Sequence, residues 1–189
     1  MALWGVRFVI TDNDAQSGHE IARRPTEHSG TLRLIELPHP NLGDYSPVEA
    51  VHADDFAGAL RLMHQGDFDG RRTLVTEEPL APTLVPAHDV ELVYDKEGFH
   101  LKAESSGHSV LVLPAQYSHC WTVDGSGEPR LLRANVAQLG VSFAGTLDVK
   151  LVFRLGPMLA GACRVEDLHD MERLQISQAR ATSTHNARR

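Results

Sequence analysis

Two cysteines, few aromatic residues, no long apolar run and a shortage of positive charge mark this chain, and each scarcity removes a class of protein. Cys120 and Cys163 lie too far apart for a Cys-x-x-Cys zinc or redox motif. The plainer reading is two separate half-buried thiols. A disulfide is the alternative in an oxidising compartment, and spacing alone does not say whether their Cα atoms meet. Aromatics make up only 6% of residues, too few for a broad base-stacking surface. The net charge of -7 opposes general nucleic-acid binding and adsorption to an anionic membrane, both of which need clustered positive charge. No stretch reaches the ~18 consecutive apolar residues of a membrane span, so direct membrane insertion is not expected. The opening Met-Ala-Leu-Trp-Gly-Val-Arg-Phe-Val-Ile has no basic lead-in and no small-residue cleavage site, and reads as a strand rather than a signal peptide.

Catalytic motifs are missing as well. There is no Gly-x-Ser-x-Gly elbow and no Gly-rich phosphate loop. The 11 histidines include no His-x-His and no His-Glu-x-x-His, so no metal site is expected. Neighbours on a strand face opposite sides, so His119 is not placed to activate Cys120. Asp54-Asp55 and Glu77-Glu78 are adjacent carboxylates, whereas a glycosidase pair must face each other across a sugar. Asp12-Asn13-Asp14 is the one sequence with metal character. An Asp-x-Asp holds Mg²⁺ or Mn²⁺ against a diphosphate in many sugar transferases. Here no nucleotide-binding half precedes it, and as an EF-hand loop it would put Arg23 where a bidentate Glu is needed. A solvated turn is the better reading.

What the chain does have is strands. Hydrophobic residues are 42% of the total, enough for a real core. Val6–Thr11 and Thr31–Leu37 are apolar and β-branched, with a polar loop from Gly18 to Gly30 between them. Asp54 caps a short helix whose Phe56, Ala59, Leu60 and Met63 share a face, with Gly66 as its stop. Arg72–Glu77 is a further strand. Pro79, Pro82 and Pro86 then mark a boundary. Beyond it the period becomes two. Val90, Leu92 and Tyr94, then Phe99, Leu101 and Ala103, form a hairpin around Asp95-Lys-Glu-Gly98. Ser109–Leu113 reads as an inner strand, followed by Gln116–Val123, Arg130–Val136, Leu139–Phe143 and Leu147–Arg154. Gly156-Pro157 ends the sheet. Val165, Leu168, Met171 and Leu174 give a helix over about 165–178, packed on the sheet or on a partner, and 181–189 is a polar tail expected to be flexible.

The fold expected is mainly β: an antiparallel β-sandwich of jelly-roll or Ig-like type, preceded by a small α+β segment and followed by a C-terminal helix. The segments are 1–80, 81–157 and 158–189. Sugar binding is the chemistry hardest to dismiss. Tyr117 and Trp121, with Tyr94, offer aromatic faces, and Asp124, Asn135 and Gln138 offer planar hydrogen-bonding groups. The plain alternative is that Trp121 packs in the core.

Two segments resemble one family. Leu3-Trp-Gly-Val-Arg-Phe-Val-Ile-Thr11 is similar to the Gly-Val-Arg-Tyr-Val-Ile strand in the extracytoplasmic part of bacterial multi-spanning membrane proteins of the YfhO type, relatives of lipid-linked-sugar glycosyltransferases. Leu111–Pro114, Tyr117, Trp121, Asp124-Gly125, Asn135, Gly145 and Leu147–Phe153 resemble, in order, the terminal sandwich of those proteins. Cys120 stands where the family has Gly. The family carries its catalytic acids between membrane helices, which this chain lacks. The resemblance therefore implies a non-catalytic soluble module on the extracytoplasmic, periplasmic side of a bacterial membrane, without a cofactor, that binds glycan or docks to a membrane-protein partner. Its candidate ligand residues are Tyr117, Trp121, Asp124 and Asn135. The alternatives are a structural accessory subunit of a membrane-associated complex, using the last helix and tail, and a metal-dependent glycosyltransferase fragment using Asp12 and Asp14.

Overall fold

The computed structural model describes residues 1–14, 17–26, 30–154 and 161–173. It is mainly β, with antiparallel sheets and two helices longer than a single turn. The chain divides into two compact units, Met1–Leu42 and Gly43–Arg189. That division falls inside the stretch 1–80 that the sequence reading takes as one segment.

The first unit holds three strands, β1 (Phe8–Thr11), β2 (His19–Pro25) and β3 (Thr31–Glu36), in the order β1-β3-β2. Val9 pairs with the fully buried Ile35. Phe8, Ile10 and Leu32 lie on the other face and stay exposed. The expected loop from Gly18 to Gly30 is largely strand β2. Its residues are polar, so propensity does not announce it. Pairing with β3 creates it, helped by Arg33 Nε, which donates to Glu20 Oε2 at 2.6 Å across the strands. Pro25 closes the strand, where a missing N–H costs least.

The second unit opens with a parallel pair, β4 (Glu49–His52) and β5 (Thr73–Thr76), joined through α1 (Phe56–Met63). The cap of α1 is Asp55, not Asp54: its Oδ1 accepts from Gly58 N at 2.6 Å. Ala59 points inward with Ala53 and Val75. The helix ends at His64, before Gly66.

The main sheet follows: β6 (His88–Tyr94), β7 (Gly98–Gln116), β8 (Trp121–Ser126), β9 (Arg130–Ala134) and β10 (Gln138–Phe153). Its order is β6-β7-β10-β8, with β9 also on β10. The expected β6–β7 hairpin is present. Tyr94 pairs with Phe99, and Asp95 Oδ1 accepts from the N–H groups of Glu97 and Gly98. The strands expected at Leu139–Phe143 and Leu147–Arg154 are one strand, β10. Likewise Phe99–Ala103 and Ser109–Leu113 lie on one strand, β7. The Ser-Gly and Ala-Gly pairs between them mark a β-bulge, not turns. The register jumps from Gly145 opposite Ser105 to Ala144 opposite His108, and Gly145 takes φ 73°, which a glycine tolerates.

Alternation along these two strands builds the core. Phe99, Leu101, Ala103, Leu111 and Leu113 meet Leu139, Val141, Phe143, Leu147, Val149 and Leu151 in one cluster. Each buried Leu or Val is worth roughly 1.5–3 kcal/mol relative to exposure. Around Ser109–Leu113 both faces are buried, as an inner strand requires: Val110 and Val112 are as inaccessible as Leu111. A second helix, α2, covers 162–173. The part of the expected helix beyond 173, the Gly156-Pro157 stop and the tail lie outside the described residues.

Candidate functional site

At one end of the main sheet, β7 finishes at Gln116 and a short turn leads into β8. The expected strand Gln116–Val123 is interrupted there, because residues 117–120 are drawn towards α2. Ser118 Oγ donates to Asp167 Oδ2 at 2.6 Å, and His119 N donates to Asp167 Oδ1 at 2.9 Å. Cys120 forms a disulfide with Cys163, with Cα atoms 5.0 Å apart, so the reading of two separate thiols is corrected. The two side chains that sequence alone could not bring together are joined because α2 folds back across the turn.

Between this end of the sheet and α2 lies a cavity of about 450 Å³, within the range of small-ligand sites. Trp121, Tyr117 and Phe153 supply its aromatic wall, and Val136, Ala137 and Met171 add apolar surface. Arg133, Arg164, Asp167 and Asp170 supply charge. Trp121 also belongs to the core. Its ring stacks on Phe99 at 5.0 Å, meets Phe153 edge-on, and donates from Nε1 to Gln116 O at 2.9 Å. Trp121 therefore packs against the core, as the plain reading expects, and the same ring lines the cavity. Tyr117 carries the Arg133 guanidinium over its face at 5.1 Å. Burial pushes its hydroxyl pKa up.

Asp170 is the electrostatic centre. It is only 6% exposed and is held by Arg133, Arg173 and His119 Nε2, the last at 2.8 Å. Burial opposes its ionisation. The hydrogen bonds from Arg173 and His119 and the charge of Arg133 outweigh that, and its pKa falls to about 2. Such a carboxylate is a fixed negative anchor at neutral pH.

The other two predicted ligand residues are elsewhere. Asp124 is exposed in the middle of β8, opposite Lys150. Asp124-Gly125 is therefore strand and not turn, since the chain reverses only after Ser126. Gly125 is needed there because a Cβ would lie 2.3 Å from Asp148 O. Asn135 is buried, and its amide is spent inside the protein: Oδ1 accepts from Val75 N at 3.0 Å and Nδ2 donates to Gln138 Oε1 at 3.2 Å. Tyr94 packs on Phe99. The structure thus puts Tyr117 and Trp121 on one cavity, which neither Asp124 nor Asn135 lines.

Sequence reading missed Arg133, Arg164, Asp167 and Asp170. The carboxylates at 167 and 170, one helical turn apart, are the signal in the sequence that could have pointed to them. For metals, His88, Asp89 and Glu104 are the group of possible ligands close enough together among the described residues, and all three are exposed. Asp14 of the Asp-x-Asp pairs with Arg33 at 3.2 Å. A wide-open hollow in the first unit is lined by Arg7, His19, Glu36 and His39, among others, and has no Trp, Tyr or Phe among its described residues. Among the described residues no helix is long and apolar enough to cross a membrane. No family model matches the chain, and neither the curated proteins nor the solved structures compared with it give a match.

Proposed function

We propose that this protein is a non-catalytic binding module whose ligand is a carbohydrate held in the cavity between the sheet end and α2. The observation that carries the reading is the wall itself: Trp121, Tyr117 and Phe153 beside Arg133, Asp167 and Asp170. Sugars need an apolar face for their C–H surface and fixed charged or amide groups for their hydroxyls. The carboxylates are anchored rather than poised. Asp170 is ionised far below neutrality, and Asp167 already accepts two hydrogen bonds. A general acid or base works best with a pKa near the working pH. The disulfide supports an oxidising compartment, such as the periplasmic side of a bacterial membrane. Kinship with the terminal domain of YfhO-type membrane proteins, and a jelly-roll or Ig-like sandwich for the second unit, belong to the same proposal.

The test is binding to immobilised glycans by the oxidised protein and by Arg164→Ala. Arg164 is exposed, so its loss should leave the fold intact. The expected outcome is a glycan signal that weakens about tenfold in the variant, equivalent to ~1.4 kcal/mol. Trp121→Phe, which keeps an aromatic wall, should retain part of it. Absence of any glycan signal would favour a second reading, an accessory subunit. Val165, Leu168 and Met171 lie along one side of α2 and are each about half exposed, which suits a contact surface for a membrane-protein partner.

A further inference from the structure

Helices in small proteins are normally held by their apolar face. α2 is held the other way round. Its apolar stripe, Val165, Leu168 and Met171, is 49%, 46% and 49% exposed. The side chains that bind it to the sheet are Cys163, Asp167 and Asp170, on a different side from Val165 and Leu168. Their partners are three consecutive residues, Ser118, His119 and Cys120, together with Arg133 on β9. All but one of these links are polar contacts, whose groups can all be rehydrated when the helix leaves. The exception is the Cys120–Cys163 bond. Arg164, Asp167, Asp170 and Met171 of this same helix form one wall of the cavity.

We propose that the Cys120–Cys163 disulfide is a redox latch: its reduction releases α2 from the sheet and opens the cavity. The co-reactant is a dithiol reductant. Cys163 is partly exposed while Cys120 is buried, so the reductant's thiolate reaches the Cys163 sulfur. It forms a mixed disulfide there and expels the Cys120 thiolate, which takes up a proton. The reductant's second thiol, as thiolate, closes its own disulfide and expels the Cys163 thiolate, which is protonated in turn. Two electrons and two protons pass from the dithiol to the protein. Once unlatched, a helix whose described part is only 162–173 loses its packing, and helices this short are marginal in water by themselves. The control of ligand access rests on the cavity being the binding site, whereas the release of α2 does not.

Amide hydrogen exchange on the full chain, with and without dithiothreitol, tests the latch without any ligand. Reduction is expected to make 163–173 exchange tenfold or more faster than the core amides of β7 and β10 near Leu101 and Val149, whose protection falls only as far as global stability does. In a Trp4→Phe background Trp121 is the sole tryptophan, and its emission should move to the red on reduction as the cavity wall opens. Cys163→Ser should show both signatures without reductant. If that variant does not fold, titration of the native chain with dithiothreitol gives the same reading. Unchanged protection of α2 overturns the proposal. So does α2 exchange that stays equal to that of β7 and β10 in the reduced protein, because the bond would then be only a staple of the whole unit. Neither result bears on glycan binding by the oxidised protein, so the two proposals fail separately.

Discussion

Asn135 is worth more to the fold than to any ligand. It stands in the turn between β9 and β10 at φ 46°, followed by Val136 at φ 75°. Two successive residues in the left-handed region give the tight reversal a hairpin needs, and Asn is among the few residues that accept it. Its backbone N–H donates to Val75 O at 2.8 Å while its side chain accepts from Val75 N, so one residue ties β5 to the main sheet twice. Asn135→Ala would leave the buried N–H of Val75 unpaired and remove the polar side chain that makes a left-handed backbone tolerable. A loss of about 2–4 kcal/mol is expected, read as a lower urea midpoint with unchanged slope. Asn135 shows what a sequence can and cannot reveal. A planar polar residue beside an aromatic-rich stretch suits a ligand equally well. Only the position of Val75, sixty residues earlier, shows that its hydrogen bonds are spent. Trp121 was legible because a large amphipathic ring at a strand end serves core and cavity at once.

At the scale of elements, periodicity finds α2 but does not say which side holds it to the sheet. The spacing of Val165, Leu168 and Met171 points to an apolar contact face, yet docking uses Asp167 and Asp170, because a disulfide and buried ion pairs override a weak apolar stripe. The long strands β7 and β10 were read in halves for a related reason: bulge residues and turn residues have the same chemistry. The polar docking of α2 has a pH consequence. The carboxyl of Asp170 titrates near 2 in the folded protein, against an ordinary value of 3.8. A depressed pKa means the folded state prefers the ionised form. That stabilisation is complete above pH ~4 and is lost as pH falls towards 2. Arg133 on β9, His119 in the turn and Arg173 on α2 itself face the carboxylate, with Glu166 and Asp167 close by. Amide exchange over 163–173 should therefore accelerate between pH 4 and 2, after correction for the intrinsic pH dependence of exchange. Asp170→Asn should flatten that step and raise exchange at the far end of the helix at neutral pH, while the Cys120–Cys163 bond still holds its start. A step of equal size in the variant would mean that another carboxylate holds α2.

At the scale of the whole molecule, the disulfide closes a loop of 43 residues that contains β8, β9 and β10 in full. Of these, β10 must find β7, whose Phe99 pairs with Leu151, and β8 and β9 then pair with β10. Contacts so distant in sequence are slow to form, because loop-closure entropy is lost before any contact is made. A crosslink at the loop ends removes much of that entropy from the unfolded chain, by about 4 kcal/mol for a loop of this length. Oxidised protein should therefore unfold at a urea concentration on the order of 2 M higher than reduced protein. It should also refold faster, since the ends of the three-strand segment are already together. This effect acts on the unfolded state, whereas the release of α2 acts on the native one. The two can be told apart, because the first lowers the midpoint and the protection of β7 and β10 together, and the second makes α2 exchange faster than those strands. Equal midpoints for the two redox forms would mean that the unfolded chain already holds residues 120 and 163 close together, or that the bond strains the native state by as much as it restrains the unfolded one.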